Sequence, residues 1–155
     1  MKKALTLLTG LLLIVGFGGL LFAADKDKEP ATKTPVAKCP VSGQKISKDA
    51  SVDYQGGKLY FCCDGCAAKF KENTAKYQAK ANLQLVVTGQ AKQVGCPLSG
   101  GKLDPSTKTT VAGIDVCFCC PSCPEKVKKA TPEQQVEMVF GKSFEKAFVV
   151  KPPKE

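Results

Sequence analysis

The chain has 155 residues and a formal charge of +9, set by 23 lysines against 14 acidic residues, with no arginine and no histidine. Lack of arginine removes the side chain that reads bases and grips phosphates bidentately. Lack of histidine, with no serine in a nucleophile-elbow motif, leaves no nucleophile–base pair for hydrolysis. The lysines are spread along the chain among Asp and Glu. That pattern describes a solvated basic surface, and no nucleic-acid partner is expected.

Lys2 and Lys3 are followed by an uncharged apolar stretch from Leu5 to Phe22, and Ala23-Ala24 precede the first acid, Asp25. This is the layout of a secretory signal over residues 1–24, so the protein is expected to be exported, periplasmic or secreted. The apolar run is long for a signal, and an uncleaved membrane anchor is the alternative; membrane contact is expected only there. Removing 1–24 takes away Lys2 and Lys3 and lowers the charge to +7. The stretch from Asp25 to Lys38 is rich in Lys, Pro, Thr and Ala. It reads as a flexible, extended tether, with the linker proper over 25–36.

An internal repeat organises the remainder. Cys39, Cys62, Cys63 and Cys66 recur as Cys96, Cys119, Cys120 and Cys123, each shifted by 57 residues. The same shift relates Pro40 to Pro97, Ser42 to Ser99, Gly43 to Gly100, Gly56 to Gly113, Phe61 to Phe118 and Thr74 to Thr131. Of nine cysteines only Cys117 stands outside it, opposite Tyr60. Two modules follow, over 37–92 and 93–155.

In the first, Ser51–Tyr54 and Lys58–Phe61 are strand-like runs around a Gly56-Gly57 turn. Ala67 to Asn73 reads as a short helix, Thr74 as the cap of a second, and Asn82 to Thr88 as a strand. In the second, Thr109–Ala112 and Ile114–Phe118 flank Gly113, Ser122 and Pro124 mark a helix start, and Thr131-Pro132-Glu133-Gln134 resembles a capping box opening a helix to about Phe140. Gly56, Gly65 and Gly113 are expected in turns, and Tyr60, Phe61 and Phe70 in the core. The expected fold is α+β, two tandem ββα units, each too small to be stable without a metal or disulfide staple.

Each module offers one cysteine in a Cys-Pro-x-Ser-Gly loop and three where a hairpin passes into a helix. Helix-start N–H groups favour a thiolate there. Thiolates without imidazole or clustered carboxylates select Zn(II), Cu(I) and similar soft ions. Lys69, Lys71, Lys126 and Lys128 lie just beyond and are placed to offset the negative charge. Disulfides joining Cys39, Cys62, Cys63 and Cys66 within the module are an alternative, because export favours them and only adjacent cysteines are too strained to bridge. Redox pairs Cys63/Cys66 and Cys120/Cys123 are another, although no thioredoxin-like βαβ pattern surrounds them.

The frame Cys39-Pro-Val-Ser-Gly, then Tyr54, Gly57-Lys58-Leu59-Tyr60-Phe61-Cys62, Cys66 and Phe70, resembles the YHS and TRASH domains, which are treble-clef-like heavy-metal modules. The intervals are Cys39-x22-Cys62-x3-Cys66 and Cys96-x22-Cys119-x3-Cys123. The resemblance implies ligand sets Cys39, Cys62, Cys66 and Cys96, Cys119, Cys123, with Cys63 and Cys120 as candidate fourth ligands where serine is common in the family. Ser42 and Ser99 stand where many relatives carry a second loop cysteine. The expectation is a non-enzymatic protein that holds zinc or copper(I), about one ion per module, in heavy-metal handling. A disulfide-stapled adaptor and a thiol–disulfide oxidoreductase are the rival functions.

Overall fold

The computed structural model of the protein describes residues 35–151; the expected signal segment and most of the expected linker lie outside them. The first repeat is a hairpin of β1 (Ser51–Tyr54) and β2 (Gly57–Tyr60), then helices α1 (Asp64–Glu72) and α2 (Thr74–Val87). After β3 (Ala91–Gln93) the plan recurs: a hairpin of β4 (Asp104–Val111) and β5 (Ile114–Phe118), then α3 (Ser122–Lys128) and α4 (Pro132–Phe140). A short helix α5 (Phe144–Ala147) and strand β6 (Phe148–Val150) complete the α+β fold. Among the described residues no helix is long and apolar enough to cross a membrane.

The repeat extends to backbone torsions. Gly43 and Gly100 both have φ of 74°, Gln55 and Ala112 both 50°, and Gly56 and Gly113 79° and 82°. Two consecutive residues with positive φ twist a two-residue turn to match its strands. The first turn is therefore Gln55-Gly56, one residue earlier than the glycine pair suggests. Gly57 belongs to β2, opposite Tyr54. Its missing side chain serves packing instead, since a Cβ there would lie 2.9 Å from Leu85 Cδ2. Gly65 is likewise no turn residue; it lies within α1, which starts earlier than expected, at Asp64.

A larger correction concerns residues 82–88. The run Leu83, Leu85, Val86, Val87 reads as a strand, yet it is the last part of a 14-residue helix, α2. Strong helix formers from Ala75 to Ala81 propagate into it. Its buried residues Ala79, Ala81, Asn82, Gln84 and Leu85 include the helical i, i+3 and i, i+4 pairs 79/82, 81/84, 81/85 and 82/85. Asn73, not Thr74, caps this helix by accepting from the Lys76 N–H. The α3 start at Ser122 and the Thr131–Gln134 capping box of α4 agree with the sequence reading.

One apolar core serves both repeats. Leu59, Phe61 and Phe70 are buried, as are their 57-residue counterparts Val116, Phe118 and Val127. Tyr60 is only half-buried. Between the repeats α2 packs on α4. Phe144 stacks on Phe148 at 4.8 Å between centroids, and Phe140 lies 5.7 Å from Phe148. β6 returns to pair antiparallel with β3, placing Phe148 opposite Gln93. The described residues thus belong to one compact unit rather than to two separate beads.

β2 has a free edge, and unpaired backbone groups there would be costly once covered. Side-chain amides satisfy them. Gln90 accepts from the Lys58 N–H at 2.7 Å and donates to its carbonyl at 2.8 Å. Gln84 does the same for Tyr60, at 2.8 and 2.7 Å. Two glutamines thereby act as a short substitute strand.

Candidate metal centre

Each site is assembled from two chain segments. In the first loop the Cys39 N–H donates to the Gln44 carbonyl and the Gly43 N–H to the Cys39 carbonyl, both at 2.8 Å. Cys96 repeats this with Gly101 and Gly100, at 2.9 and 2.7 Å. The positive φ of Gly43 and Gly100 closes both loops and turns Cys39 and Cys96 inward, where they are buried. The second segment leaves β2 or β5 through paired cysteines and enters a helix. Cys62 and Cys63 precede α1 and Cys66 lies in its first turn; Cys119 and Cys120 precede α3, which holds Cys123.

A glutamine joins the two segments in each module. Gln84 Nε2 donates to the Lys38 carbonyl at 2.9 Å while its amide clasps Tyr60. Gln93 Nε2 donates to the Gly95 and Cys117 carbonyls at 3.1 and 2.7 Å, and its Oε1 accepts from the Cys117 N–H at 3.0 Å. Lys38 and Gly95, and Tyr60 and Cys117, are 57-residue counterparts. The glutamines are not: one comes from α2 and the other from β3. The repeat register could not reveal them, because it sets Gln84 against Gly141.

The structure brings together Cys39, Cys62 and Cys66, and separately Cys96, Cys119 and Cys123; within each set every sulfur lies within 4.8 Å of the others. Cys62 and Cys66 are 3.5 Å apart, and Cys119 and Cys123 3.7 Å. Four thiolates in tetrahedral array at about 2.3 Å from zinc stand about 3.8 Å apart, and a trigonal set is only slightly wider. The spacing therefore fits a soft metal ion, and the three thiols of each set would hold it. Cys63 and Cys120 flank the triads, each 3.8 Å from the preceding cysteine's sulfur. All nine cysteines are unbridged. Cys117, on β5, is half-buried and belongs to neither triad.

Serine hydroxyls line both sites: Ser42 Oγ is 3.2 Å from Cys62 Sγ, and Ser99 Oγ 3.1 Å from Cys119 Sγ. Their effect is felt at the loop cysteines. Burial pushes the Cys39 thiol up, but the Ser42 hydroxyl and the N–H groups of Ser42, Cys62 and Val41 outweigh it and bring its pKa down to about 7. At Cys96 burial is likewise outweighed, by the Ser99 hydroxyl and the N–H groups of Leu98, Ser99 and Cys119, and the pKa is about 6.

Of the helix-start cysteines, Cys66 and Cys123 behave against expectation. Cys66 is pushed up to about 12, first because it shares its proton with Cys62 and then by burial and by Cys63 and Cys39. Burial, then Cys120, Cys119 and Cys96, raise Cys123 to about 12. Thiols this close cannot all ionise, and helix-end N–H groups do not overcome that repulsion. Cys63, just before α1, is lowered chiefly by the Cys66 N–H, and Cys120 to about 7 chiefly by the Ser122 hydroxyl. A bound cation is what would release the remaining protons. Lys69, Lys71, Lys126 and Lys128 occupy the last turns of α1 and α3, where they complement the helix dipoles.

Cysteine triads, each with its loop thiol buried, at two equivalent places in one α+β unit define a cysteine-rich, metal-binding class of protein. The YHS domain family model matches residues 37–81, which span the first triad and the hairpin and helix that carry it. The second triad, in the same register as the first, is consistent with a tandem of YHS/TRASH-like modules. No curated protein and no solved structure matches the chain.

Proposed function

We propose that this protein is an exported, non-catalytic binder of copper(I) or zinc(II), taking one ion on thiolates at each of two repeated sites, in heavy-metal handling. The observation that carries the reading is the duplicated triad, with its loop thiol buried and its sulfurs spaced for one ion in each module. Soft donors without imidazole or carboxylate favour copper(I) and zinc over magnesium or calcium. Export rests on the apolar segment of residues 1–24, and that compartment brings the protein into contact with external metal.

The reading is tested by native and denaturing mass spectrometry of the reduced protein after exposure to Cu(I) or Zn(II). Two ions per chain are expected, with one lost in Cys62→Ser and the other in Cys119→Ser. Eight repeat cysteines found bridged in the exported protein, with no uptake after reduction, would replace metal capture with a disulfide-stapled adaptor.

A further inference from the structure

The thiols of the second module form two sets that share an edge. Cys119 and Cys120 lie 3.8 Å apart, Cys120 and Cys123 3.5 Å, and Cys119 and Cys123 3.7 Å. These three are as closely grouped as a metal requires. The inner set replaces Cys120 with Cys96 and keeps the same Cys119–Cys123 edge. Cys96 is fully buried at one side of that edge. Cys120 is part-exposed at the other, beside the Ser122 hydroxyl at 3.2 Å. Cys120 is not within the mutual 4.8 Å spacing of the inner set, so the four sulfurs do not form one closed tetrahedron.

We propose that Cys119, Cys120 and Cys123 form an outer metal position, through which an ion passes between the buried triad and a thiolate-bearing acceptor at the surface. The proposal rests on the metal-binding reading above and adds a route to it. In the exchange, a Cys120 Sγ–metal bond forms as the Cys96 Sγ–metal bond breaks. The proton leaving the Cys120 thiol is matched by one taken up at Cys96. The number of metal–sulfur bonds, the charge of the cluster and the oxidation state of the ion are unchanged. Cys119 and Cys123 stay bound throughout, so the ion never leaves thiolate ligation for water, for which a soft ion has little affinity. An acceptor thiolate then meets the ion at Cys120 rather than at the buried Cys96.

The test follows release of Cu(I) from the loaded full chain to bathocuproine disulfonate, by absorbance. The second module's phase is identified by its absence in Cys96→Ser. Cys120→Ser is expected to keep two bound ions and the wild-type circular dichroism spectrum, while that phase slows at least tenfold. Cys117→Ser, which removes a half-buried thiol outside the sets, should release at the wild-type rate. An unchanged rate in Cys120→Ser, or equal slowing in Cys117→Ser, would overturn the proposal. So would loss of one ion in Cys120→Ser, because Cys120 would then be an ordinary ligand of a single site. A wild-type chain that takes up no Cu(I) would instead remove the metal-binding reading beneath it.

Discussion

The side-chain amide of Gln84 takes both backbone polar groups of Tyr60, accepting from its N–H at 2.8 Å and donating to its carbonyl at 2.7 Å. The same amide nitrogen reaches the Lys38 carbonyl, one residue before Cys39. One buried glutamine thus fixes the distance between the loop ligand and the hairpin ligands. In the second module Gln93 does this work from a different element.

Gln84→Leu is expected to destabilise the protein by about 2–3 kcal/mol, because it leaves backbone groups of Tyr60 and Lys38 without partners. Urea unfolding measures the loss. Metal titration of the same variant should show the first site weakened and the second unchanged, and Gln93→Leu should show the reverse.

Ser42→Ala removes the hydroxyl that lowers Cys39 and contacts Cys62. Metal affinity at the first site should fall by about 10-fold or more, as for other groups that orient metal ligands. The loss should be greater at pH 6 than at pH 8, since the Cys39 pKa rises above 7 and protons compete more strongly. Ser99→Ala should act in the same way on the second site. Competition titrations against a chelator at the two pH values provide the measurement.

In the reduced, metal-free protein Cys63 and Cys120 combine accessibility with a lowered pKa, whereas Cys66 and Cys123 are held near 12. Iodoacetamide at pH 7.5 should therefore modify Cys63 and Cys120 first, as judged by peptide mass mapping. Thiolate is the reacting form, so alkylation of Cys120 should slow as the pH falls through about 7. Fastest reaction at Cys66 or Cys123 would contradict the proton distribution in these clusters.

A shared core predicts shared unfolding. Phe70→Ala in the first module should cost about 3–5 kcal/mol and lower one common melting transition, not a first-module transition alone. Chelation of the reduced protein should lower that same transition, by an amount that grows with the free metal concentration used as reference. Circular dichroism in the far and near ultraviolet checks whether the curves coincide.

The sequence by itself determined the duplication, the hairpin and helix order of each module, the α4 cap and the eight repeat cysteines, from which the family resemblance singled out the six of the triads. These depend on local chemistry: turn residues, capping side chains and cysteine spacing act over a few positions and recur 57 residues apart. Tertiary structure decided the rest. The apolar run at 83–87 is compatible with either strand or helix, and its burial against β2 and α4 makes it α2. Gln84 and Gln93 have no common register, because what they satisfy is a backbone edge in space. Cys66 and Cys123 share protons with neighbours in their own segments at 3.5–3.7 Å, but Cys39 and Cys96 come within 4.8 Å of them only when a loop and a helix start from separate parts of the chain meet. The union of two modules into one body has the same origin, since β6 and the Phe140–Phe144–Phe148 cluster pair with elements that the repeat itself does not specify.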